Sequence, residues 1–463
     1  MKTLFVIAIG LLSYGVCFPS NEITVEPLKE TDIPVGQTTP TQSTDLPEVT
    51  FHTVVPDVTF HTVVPDVTFH TVVPDITFGT KVPDIKISTT QSNTMAAFDR
   101  ECGCTKQKIW LDIVVIIDET EAMAEGISEV AADLATIFGQ MTVSSKAAWN
   151  SRVALIAAKS GATVLGRFAD YSSTDALISA LSGLQSGSDK NVNIQAALKR
   201  ASVLLASDGM QRNRRQIVLL YASAYNQGGF TDPLETAIQM KDSGIAIATV
   251  AYIQETGTSD VRKLGELASP GFNFTNTDGK DITSSVFNAF CQVNCFCRHN
   301  WAQFSSAYQK PGAHVYGVCL RYVGIPASWF AANAIGCPKL DGSHLATEYS
   351  SRKHQFNLAY YADESKKTGN AGPLAYFVGL EQAGDSKYYW HTGVNSTEPL
   401  DISAYKGWAV GYPNANGNRN CVAVKKSGFS TKWQNVNCFS ESQNYICEAS
   451  ACDTDNYCAS LDS

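Results

Sequence analysis

The chain has 463 residues, of which 44% are hydrophobic, and its 35 basic and 44 acidic residues give a net charge of −9. A negative net charge without a run of lysines and arginines argues against nucleic acid and anionic membrane surfaces as partners. A chain of this length is expected to form two or three domains.

The first seventeen residues are typical of a secretory signal peptide. Lys2 precedes an apolar stretch from Leu4 to Leu12, and small residues lead to an expected cleavage after Cys17. No later stretch reaches the roughly 18 continuous apolar residues of a membrane span. We therefore expect a secreted, extracellular protein without a transmembrane anchor, in which the cysteines other than Cys17 are even in number and can all pair.

Residues 18–101 are expected to form a Thr/Pro-rich stalk with a nine-residue repeat. The unit Val-Thr-Phe-His-Thr-Val-Val-Pro-Asp recurs between Val49 and Asp75 and then decays. The proline of each unit lacks the N–H that a strand donates to its neighbour. Because the period is odd, equivalent side chains of successive units would point to opposite faces of a strand. An extended, O-glycosylated stalk is therefore favoured. The alternatives are a β-solenoid and a metal array of His52, His61 and His70.

Residues 102–292 alternate apolar strands with amphipathic helices, which predicts a doubly wound α/β sheet with one antiparallel hairpin at an edge. The predicted strands are Ile109 to Ile117, Val153 to Ala158, Ala162 to Phe168, Ile217 to Tyr221 and Ile245 to Ala251. The predicted helices are Ile127 to Met141, Thr174 to Leu184, Ile194 to Leu205 and one that begins at Asp232-Pro233, with Asp232 as its N-cap.

This order of elements, together with the segments Trp110 to Asp118 and Leu264 to Gly271, resembles the von Willebrand factor A family. Domains of that family commonly hold Mg²⁺ through Asp-x-Ser-x-Ser, a later Thr and a later Asp at the carboxyl ends of the strands. This sequence keeps only part of that set, since the corresponding positions are Asp118, Thr120, Ala122, Val192 or Asn193, and Ser223. The resemblance therefore predicts no Mg²⁺ site, with Asp118 capping the start of a helix instead.

Residues 295–449 have irregularly spaced cysteines and tryptophans. Their placement resembles a long-form C-type lectin domain, an α+β fold, at Cys297, Trp301, Cys319, Trp329, Cys337, Phe377 to Leu380, Trp408, Cys421, Trp433, Cys438 and Cys447. The resemblance implies that Cys337 pairs with Cys447, Cys421 with Cys438, and Cys297 with Cys319.

Six further cysteines lie outside the two domain patterns. Cys102, Cys104, Cys291 and Cys295 bracket the A-like domain and could tie its ends together in a pairing that the sequence leaves open. Cys452 and Cys458 would close a loop in the C-terminal tail, residues 450–463.

Sugar-binding C-type lectins hold Ca²⁺ through Glu-Pro-Asn or Gln-Pro-Asp in one loop, a further Glu, and Asn-Asp after a tryptophan. The corresponding segments here are Tyr412-Pro413-Asn414, Arg419-Asn420 and, after Trp433, Gln434-Asn435. Every carboxylate of that site is missing, so neither a metal nor another cofactor is predicted.

Two interpretations of this loop remain. Pro413, a cis proline in the family, can serve folding alone. Alternatively, Tyr412 with Trp408 and Tyr405 forms an aromatic surface that binds a sugar ring without calcium. The ligand-binding residues of this second interpretation are Trp408, Tyr412, Pro413, Asn414, Gln434 and Asn435.

The sequence contains no Gly-x-Ser-x-Gly, no His-Glu-x-x-His and no phosphate-binding loop, and no enzymatic activity is predicted. We expect a recognition protein that binds glycan or a microbial surface through its lectin-like domain, as in the nematode-type secreted lectins of innate defence that it resembles. The alternative is an adhesion or scaffold protein that binds extracellular proteins through the A domain. Two sequons predict N-glycosylation at Asn273 and Asn395.

Overall fold

The structure, a computed structural model, describes residues 99–458 except 147–148, 208–212, 226–227, 254–258, 371, 402 and 416. The predicted signal peptide and the repeats with His52, His61 and His70 lie outside the described residues. No helix in the described part of the chain is both long and apolar enough to cross a bilayer.

The first sheet has six strands in the order β3-β2-β1-β4-β5-β6. All neighbouring strands are parallel except the β2–β3 pair at one edge, which confirms the predicted doubly wound sheet. The strands are β1 (Leu111–Asp118), β2 (Arg152–Ala158), β3 (Ala162–Gly166), β4 (Arg215–Ala222), β5 (Ala246–Ala251) and β6 (Asn273–Thr275).

Helices cover both faces of this sheet. Ile113, Val115 and Ile117 point into one core cluster, and Val114 and Ile116 point into the other, so β1 is apolar throughout because both of its faces are buried. The α-helices are α1 (Ile127–Gly139), α2 (Thr174–Leu181), α3 (Ile194–Ser207), α4 (Leu234–Asp242) and α5 (Ile282–Val293), and 3₁₀-helices span Lys106–Lys108, Glu121–Met123, Gly229–Thr231 and Ser259–Glu266.

Two polar residues of the predicted elements have partners that explain them. Asp112 interrupts the apolar strand β1, and its carboxylate accepts two hydrogen bonds from Arg152, at 2.8 and 2.7 Å. Asp232 lies one residue before the cap position Pro233, and its Oδ1 accepts the backbone N–H of Leu234 at 2.9 Å. Asp232 therefore binds a backbone N–H of the first turn of α4, as predicted, but from the position before the cap.

The second sheet is mostly antiparallel, as the predicted α+β fold requires. Its strands are β7 (Ala302–Ser305), β8 (Val315–Ser328), β9 (His344–Leu345), β10 (Ala375–Gln382), β11 (Tyr388–Gly393), β12 (Ser396–Pro399), β13 (Cys421–Ser427), β14 (Ser430–Val436) and β15 (Ser442–Ser450). Strands β12-β11-β10-β15-β8-β7 form the main path, and β13 joins β10 to β14. The helices are α6 (Trp329–Ala331), a π-helix (Ala332–Gly336) and α7 (Ser351–Lys367).

Six disulfides connect all twelve described cysteines. Within the second sheet the bonds are Cys297–Cys319, Cys337–Cys447 and Cys421–Cys438, the pairing that the resemblance implied. The pairing that the sequence left open is Cys102–Cys295 and Cys104–Cys291, and the tail loop is closed by Cys452–Cys458. Disulfides in this number are typical of an oxidising, extracellular compartment.

Residues 451–458, which we call the C-terminal clasp, follow the last strand of the second sheet and pack against the first domain. The Asp453 carboxylate is fully buried, accepts the N–H of Gly103 at 2.9 Å and lies 2.7 Å from the Arg100 guanidinium. Thr454 Oγ1 accepts the N–H of Thr105 at 2.8 Å. The clasp therefore holds the segment that leads into β1.

Aromatic packing secures the other end of the clasp. The Tyr457 ring lies 5.0 Å from the Trp110 ring and 5.0 Å from the Trp149 ring. The Asn213 side-chain amide donates to the Tyr457 hydroxyl at 2.8 Å and to the Cys458 carbonyl at 3.2 Å. Hydrogen bonds, rings and the Cys102–Cys295 disulfide thus join the two sheets into one body.

Asp453→Asn should lower the free energy of unfolding by about 1 to 3 kcal/mol, because an amide removes the charge opposite Arg100 and turns a donor toward buried donors. Chemical denaturation of the purified protein measures this change. Asp455→Asn is the matched control, since Asp455 is exposed and lies 3.7 Å from the same guanidinium. Equal effects of the two substitutions would contradict the role assigned to the clasp.

Candidate functional site

The carboxyl end of the first sheet is organised around the buried carboxylate of Asp118, the last residue of β1. Its Oδ1 accepts from the Thr120 N–H (3.0 Å) and hydroxyl (2.7 Å), and its Oδ2 accepts from the Ser223 N–H (3.0 Å) and hydroxyl (2.9 Å). The sequence analysis predicted that Asp118 caps the start of a helix. This prediction is wrong for the Glu121–Met123 helix, whose cap position is Thr120 and which has no side-chain cap hydrogen bond. Asp118 joins the end of β1 to the residue that follows β4.

The neighbouring polar side chains are also occupied by protein groups. The Glu119 carboxylate lies 3.1 Å from the ammonium of Lys159. Asn193 Oδ1 accepts the Ala196 N–H at 2.9 Å, so this residue caps the first turn of α3. A Mg²⁺ site needs several free oxygen ligands, and the residues gathered here do not fit one.

A second arrangement of interest is a loop that pairs with β14 beside Trp433. The Trp433 N–H donates to the Gly407 carbonyl at 2.7 Å, and the Ala409 N–H donates to the Trp433 carbonyl at 2.9 Å. Trp408 is half-buried because its ring packs edge-on against that of Trp433, 5.6 Å away, and against that of Tyr388, 4.9 Å away.

The tip of this loop is held by the side chain of Asn435. Asn435 is buried, its Nδ2 donates to the carbonyls of Asn414 (2.8 Å) and Arg419 (2.9 Å), and its Oδ1 accepts the Asn414 N–H (2.7 Å). The Tyr412–Pro413 peptide bond between these segments is cis. Only an amide can make all three hydrogen bonds, since a carboxylate has no N–H to donate.

The structure brings together some of the six predicted ligand-binding residues and separates others. Tyr412, Pro413 and Asn414 share the loop tip, where Pro413 is exposed and the other two are half-buried. Gln434 points to the opposite face of β14 from Asn435, because side chains alternate along a strand. Asn435 is 3% exposed and therefore supports the loop from below.

The predicted aromatic surface is also divided. The Tyr405 ring packs edge-on against Trp433 at 5.4 Å, as Trp408 does, so both rings belong to the wall of the core. No ring contact among the described residues involves Tyr412. Val410, which the sequence analysis did not single out, is wholly exposed two residues before it. The outward-facing apolar side chains of the tip are thus Val410, Tyr412 and Pro413.

Beneath the loop lies a buried polar network that the sequence analysis missed. The fully buried Glu348 accepts from His354 Nδ1 (2.6 Å), Trp433 Nε1 (2.6 Å) and the Tyr376 hydroxyl (2.8 Å). The sequence of α7 contains a signal for this network. Lys353 and His354 lie three to four residues before the buried residues of the same helix face, which predicts that they are buried too. The other buried residues of this face are Phe356, Asn357, Tyr360 and Tyr361.

The charge state of His354 follows from its two partners. Its Nδ1 faces Glu348, and its Nε2 faces the Thr431 carbonyl at 3.0 Å, so both nitrogens must donate. Burial opposes the imidazolium, but the charge and hydrogen bond of Glu348 outweigh this, and the pKa of His354 is raised. Burial likewise opposes the Glu348 carboxylate, and His354 outweighs it, so the pKa of Glu348 is lowered.

Comparisons with known proteins identify both domains. Residues 112–288 match the family described as "von Willebrand factor type A domain". C-type lectin domain-containing protein 160 of Caenorhabditis elegans is 31% identical over 378 residues, which cover 78% of this chain and 56% of that protein. Lithostathine of Rattus norvegicus is 21% identical over 142 residues, 30% of this chain and 78% of that protein. This chain contains a von Willebrand factor A domain followed by a C-type lectin-like domain.

Two solved structures each match a share of this chain. Proximal thread matrix protein 1 from the mussel byssus has 17% sequence identity and a TM-score of 0.35, over 41% of this chain and 47% of that chain. Human lithostathine has 19% identity and a TM-score of 0.25, over 33% of this chain and 90% of that chain.

Domains of both kinds are typically binding modules without catalytic activity. In the lectin-like domain, one group of potential metal ligands converges among the described residues, namely Glu381, Cys421 and Cys438. The two cysteines form a disulfide and offer no thiolate, and Glu381 is hydrogen-bonded to His391 at 2.8 Å. This group does not fit a metal ion.

We expect the A domain to be independent of Mg²⁺. Calorimetric titration of the purified protein with Mg²⁺ should give no saturable heat. Asp118→Asn should instead reduce the free energy of unfolding by about 1 to 3 kcal/mol, because its amide nitrogen would face donors that now meet a carboxylate oxygen. A micromolar Mg²⁺ site that this substitution abolishes would refute the expectation.

The His354–Glu348 pair predicts a specific pH dependence. Because the folded-state pKa of His354 is raised, its contribution is complete below the unfolded value of about 6.5 and is lost as the pH rises through the folded value. Urea unfolding followed by tryptophan fluorescence should therefore show a larger stability loss between pH 6 and 9 for the wild type than for His354→Gln. His299→Gln, at an exposed histidine, should retain the wild-type profile. Parallel profiles for wild type and His354→Gln would rule out a charged His354.

Proposed function

We propose that this protein is an extracellular recognition protein whose C-type lectin-like domain binds glycans, including those of microbial surfaces, without calcium. The observation that carries the proposal is the Asn435 side chain, which holds the loop tip through three hydrogen bonds. This side chain fixes the loop that carries Val410, Tyr412 and Pro413, the residues that we propose contact the sugar.

The hydrogen-bond directions at Asn435 explain why calcium is not needed. In the calcium-dependent members, carboxylate oxygens coordinate the ion, and the ion coordinates sugar hydroxyls. Here the side chain at that position directs two N–H bonds toward the carbonyls of Asn414 and Arg419, and these bonds do the structural work of the ion. A loop that is already ordered loses less conformational entropy when it binds a ligand.

The loop tip offers a suitable surface for a sugar ring. Tyr412 is half-buried, and Val410 and Pro413 beside it are exposed, so an aromatic face and two aliphatic groups point outward. Pyranose rings carry apolar C–H faces that pack on such surfaces, and the Tyr412 hydroxyl can hydrogen-bond a sugar hydroxyl. Trp408 and Tyr405 contribute by fixing Trp433, to which the loop is hydrogen-bonded.

Other parts of the molecule agree with an extracellular role. The six disulfides are stable in an oxidising compartment. Asn273 on β6 and Asn395 in the β11–β12 turn are both exposed, as acceptors of N-linked glycans must be. Secretion through residues 1–17, glycosylation and a role in innate defence are parts of the same proposal.

One observation favours the alternative, adhesion to extracellular proteins through the A domain. Phe230 is wholly exposed in a short helix between β4 and α4. Because this helix follows the carboxyl end of β4, Phe230 lies at the same end of the sheet as Asp118. An exposed phenylalanine is a common anchor in protein interfaces. This contact would be independent of the lectin-like domain.

Tyr412→Ala should weaken binding of the best ligand from a glycan array by about 1 to 3 kcal/mol, the loss expected for a buried aromatic contact. Surface plasmon resonance with the secreted protein measures this, with and without chelator, which should change nothing. Tyr389→Ala, at another half-buried tyrosine of the domain, is the matched control and should bind normally.

Binding that disappears in chelator and returns with calcium would overturn the calcium-free site. An array without any glycan ligand, together with binding to extracellular matrix proteins that is lost in Phe230→Ala, would favour the A-domain alternative.

A further inference from the structure

The segment around the candidate site has a charge opposite to that of the whole chain. Residues 402–440 contain five basic residues and no acidic one, although the chain has a net charge of −9. This segment includes the loop and strands β13 and β14. The part of the domain that binds a cation in calcium-dependent lectins is therefore positive here.

Part of this positive charge is not neutralised within the protein. Lys425 forms an ion pair with Glu441, and Lys406 is close enough to Asp401 for a weaker electrostatic interaction. Lys406, Arg419 and Lys426 are exposed, Lys432 is half-buried, and none of the four forms an ion pair with a described residue. Unpaired cations that share a surface repel one another and favour an anionic ligand.

Arg419 stands beside the loop tip. A single nitrogen, Asn435 Nδ2, donates to the carbonyl of Arg419 at 2.9 Å and to that of Asn414 at 2.8 Å. The backbone segments at Asn414 and Arg419 are thus adjacent. The exposed side chain of Arg419 therefore begins close to the loop tip that carries Tyr412 and Pro413. This side chain has no role in this bond, so its planar donor group is available to a ligand.

Lys406 lies further along the same loop. The Trp433 N–H donates to the carbonyl of Gly407 at 2.7 Å, so the loop at Lys406 runs beside β14. Because a strand advances roughly 3.3 Å per residue, the backbones at Lys406 and Arg419 are about 10 Å apart along β14. Lys432 does not belong to this group, since it shares the face of β14 with Gln434, opposite to Asn435.

We infer that Lys406 and Arg419, which we call the basic strip, bind an anionic glycan whose sugars carry carboxylate or sulfate groups. This inference rests on the proposed function, since it assigns a ligand class to the same loop. Arg419 would bind a carboxylate or sulfate through paired N–H donors, and Lys406 would act as a point charge on a second acidic group. Val410 and Tyr412 would contact the apolar faces of the rings between them.

A glycan fits this surface better than a nucleic acid does. A duplex presents a dense row of phosphates and needs a broad basic surface, whereas the strip has two cations on a negatively charged protein. The exposed aliphatic side chains of Val410 and Pro413 match the C–H faces of sugars.

The test measures binding of the full-length secreted protein to dextran sulfate, polygalacturonate and uncharged dextran by biolayer interferometry. The two anionic polymers should bind, dextran should not, and added salt should weaken binding because it screens the charges. Chelator should have no effect. The ratio of the two anionic affinities distinguishes sulfate from carboxylate as the preferred group.

Variants assign this binding to the strip. The double substitution Lys406→Gln/Arg419→Gln should reduce affinity at least about tenfold and make binding less sensitive to salt, while leaving the Asn435 hydrogen bonds to the backbone intact. The control Lys339→Gln/Lys366→Gln removes the same charge from exposed lysines outside residues 402–440 and should bind as the wild type does.

The outcomes separate this inference from the proposed function. Equal binding of dextran and dextran sulfate, or equal losses in both double variants, would overturn the basic strip and leave glycan recognition standing. Binding to none of the polymers and to no glycan of an array would overturn both. Duplex DNA that binds as tightly as dextran sulfate, with the same loss in the strip variant, would show a surface that recognises charge alone and would overturn the glycan assignment.

Discussion

Burial of carboxylates is the constraint on which both domains depend. A carboxylate removed from water must meet donors or cations, or its burial costs several kcal/mol. In this protein the partners all come from the chain itself, and each of them ties distant segments together. The buried carboxylates among the described residues are Asp112, Asp118, Glu119, Glu348, Glu448 and Asp453. Asp112 joins β1 to β2, and Asp118 and Glu119 hold the carboxyl end of the first sheet. Glu348, Glu448 and Asp453 anchor, in turn, Trp433, the start of α7 and the clasp.

The same constraint bears on the two positions where the families of these domains hold metal ions. Serine at position 223 donates two bonds to Asp118, where a second aspartate would repel it in the absence of an ion. Asparagine at position 435 donates to two carbonyls, where an aspartate would repel them. At each position a hydrogen-bond donor holds the local fold through groups of the protein itself.

Much of the fold was predictable because its signals are local. Strand β1 is continuous apolar sequence, the helices follow with amphipathic spacing, and the cysteines mark the lectin-like domain. The site was less predictable, since Gln434 and Asn435 are adjacent in sequence but face opposite sides of β14. Contacts between residues that are distant in the sequence, such as Glu348 with Trp433 or Asn435 with Arg419, produce no periodic pattern in the sequence. Polar residues such as Glu348 and Asn435 therefore look like surface residues in the sequence, although their side chains are buried and hold other segments in place.

The clasp has a consequence for how the protein is made. Gly103 and its hydrogen-bond partner Asp453 are 350 positions apart in the sequence. During translation, Asp453 therefore leaves the ribosome long after Gly103. The A domain can therefore form its sheet during synthesis, but the aromatic face of Trp110 and Trp149 stays uncovered until the C-terminus emerges with Tyr457. Closure of that face would then be a late assembly step, and a chain that ends before residue 453 would leave an apolar surface exposed to chaperones or to aggregation.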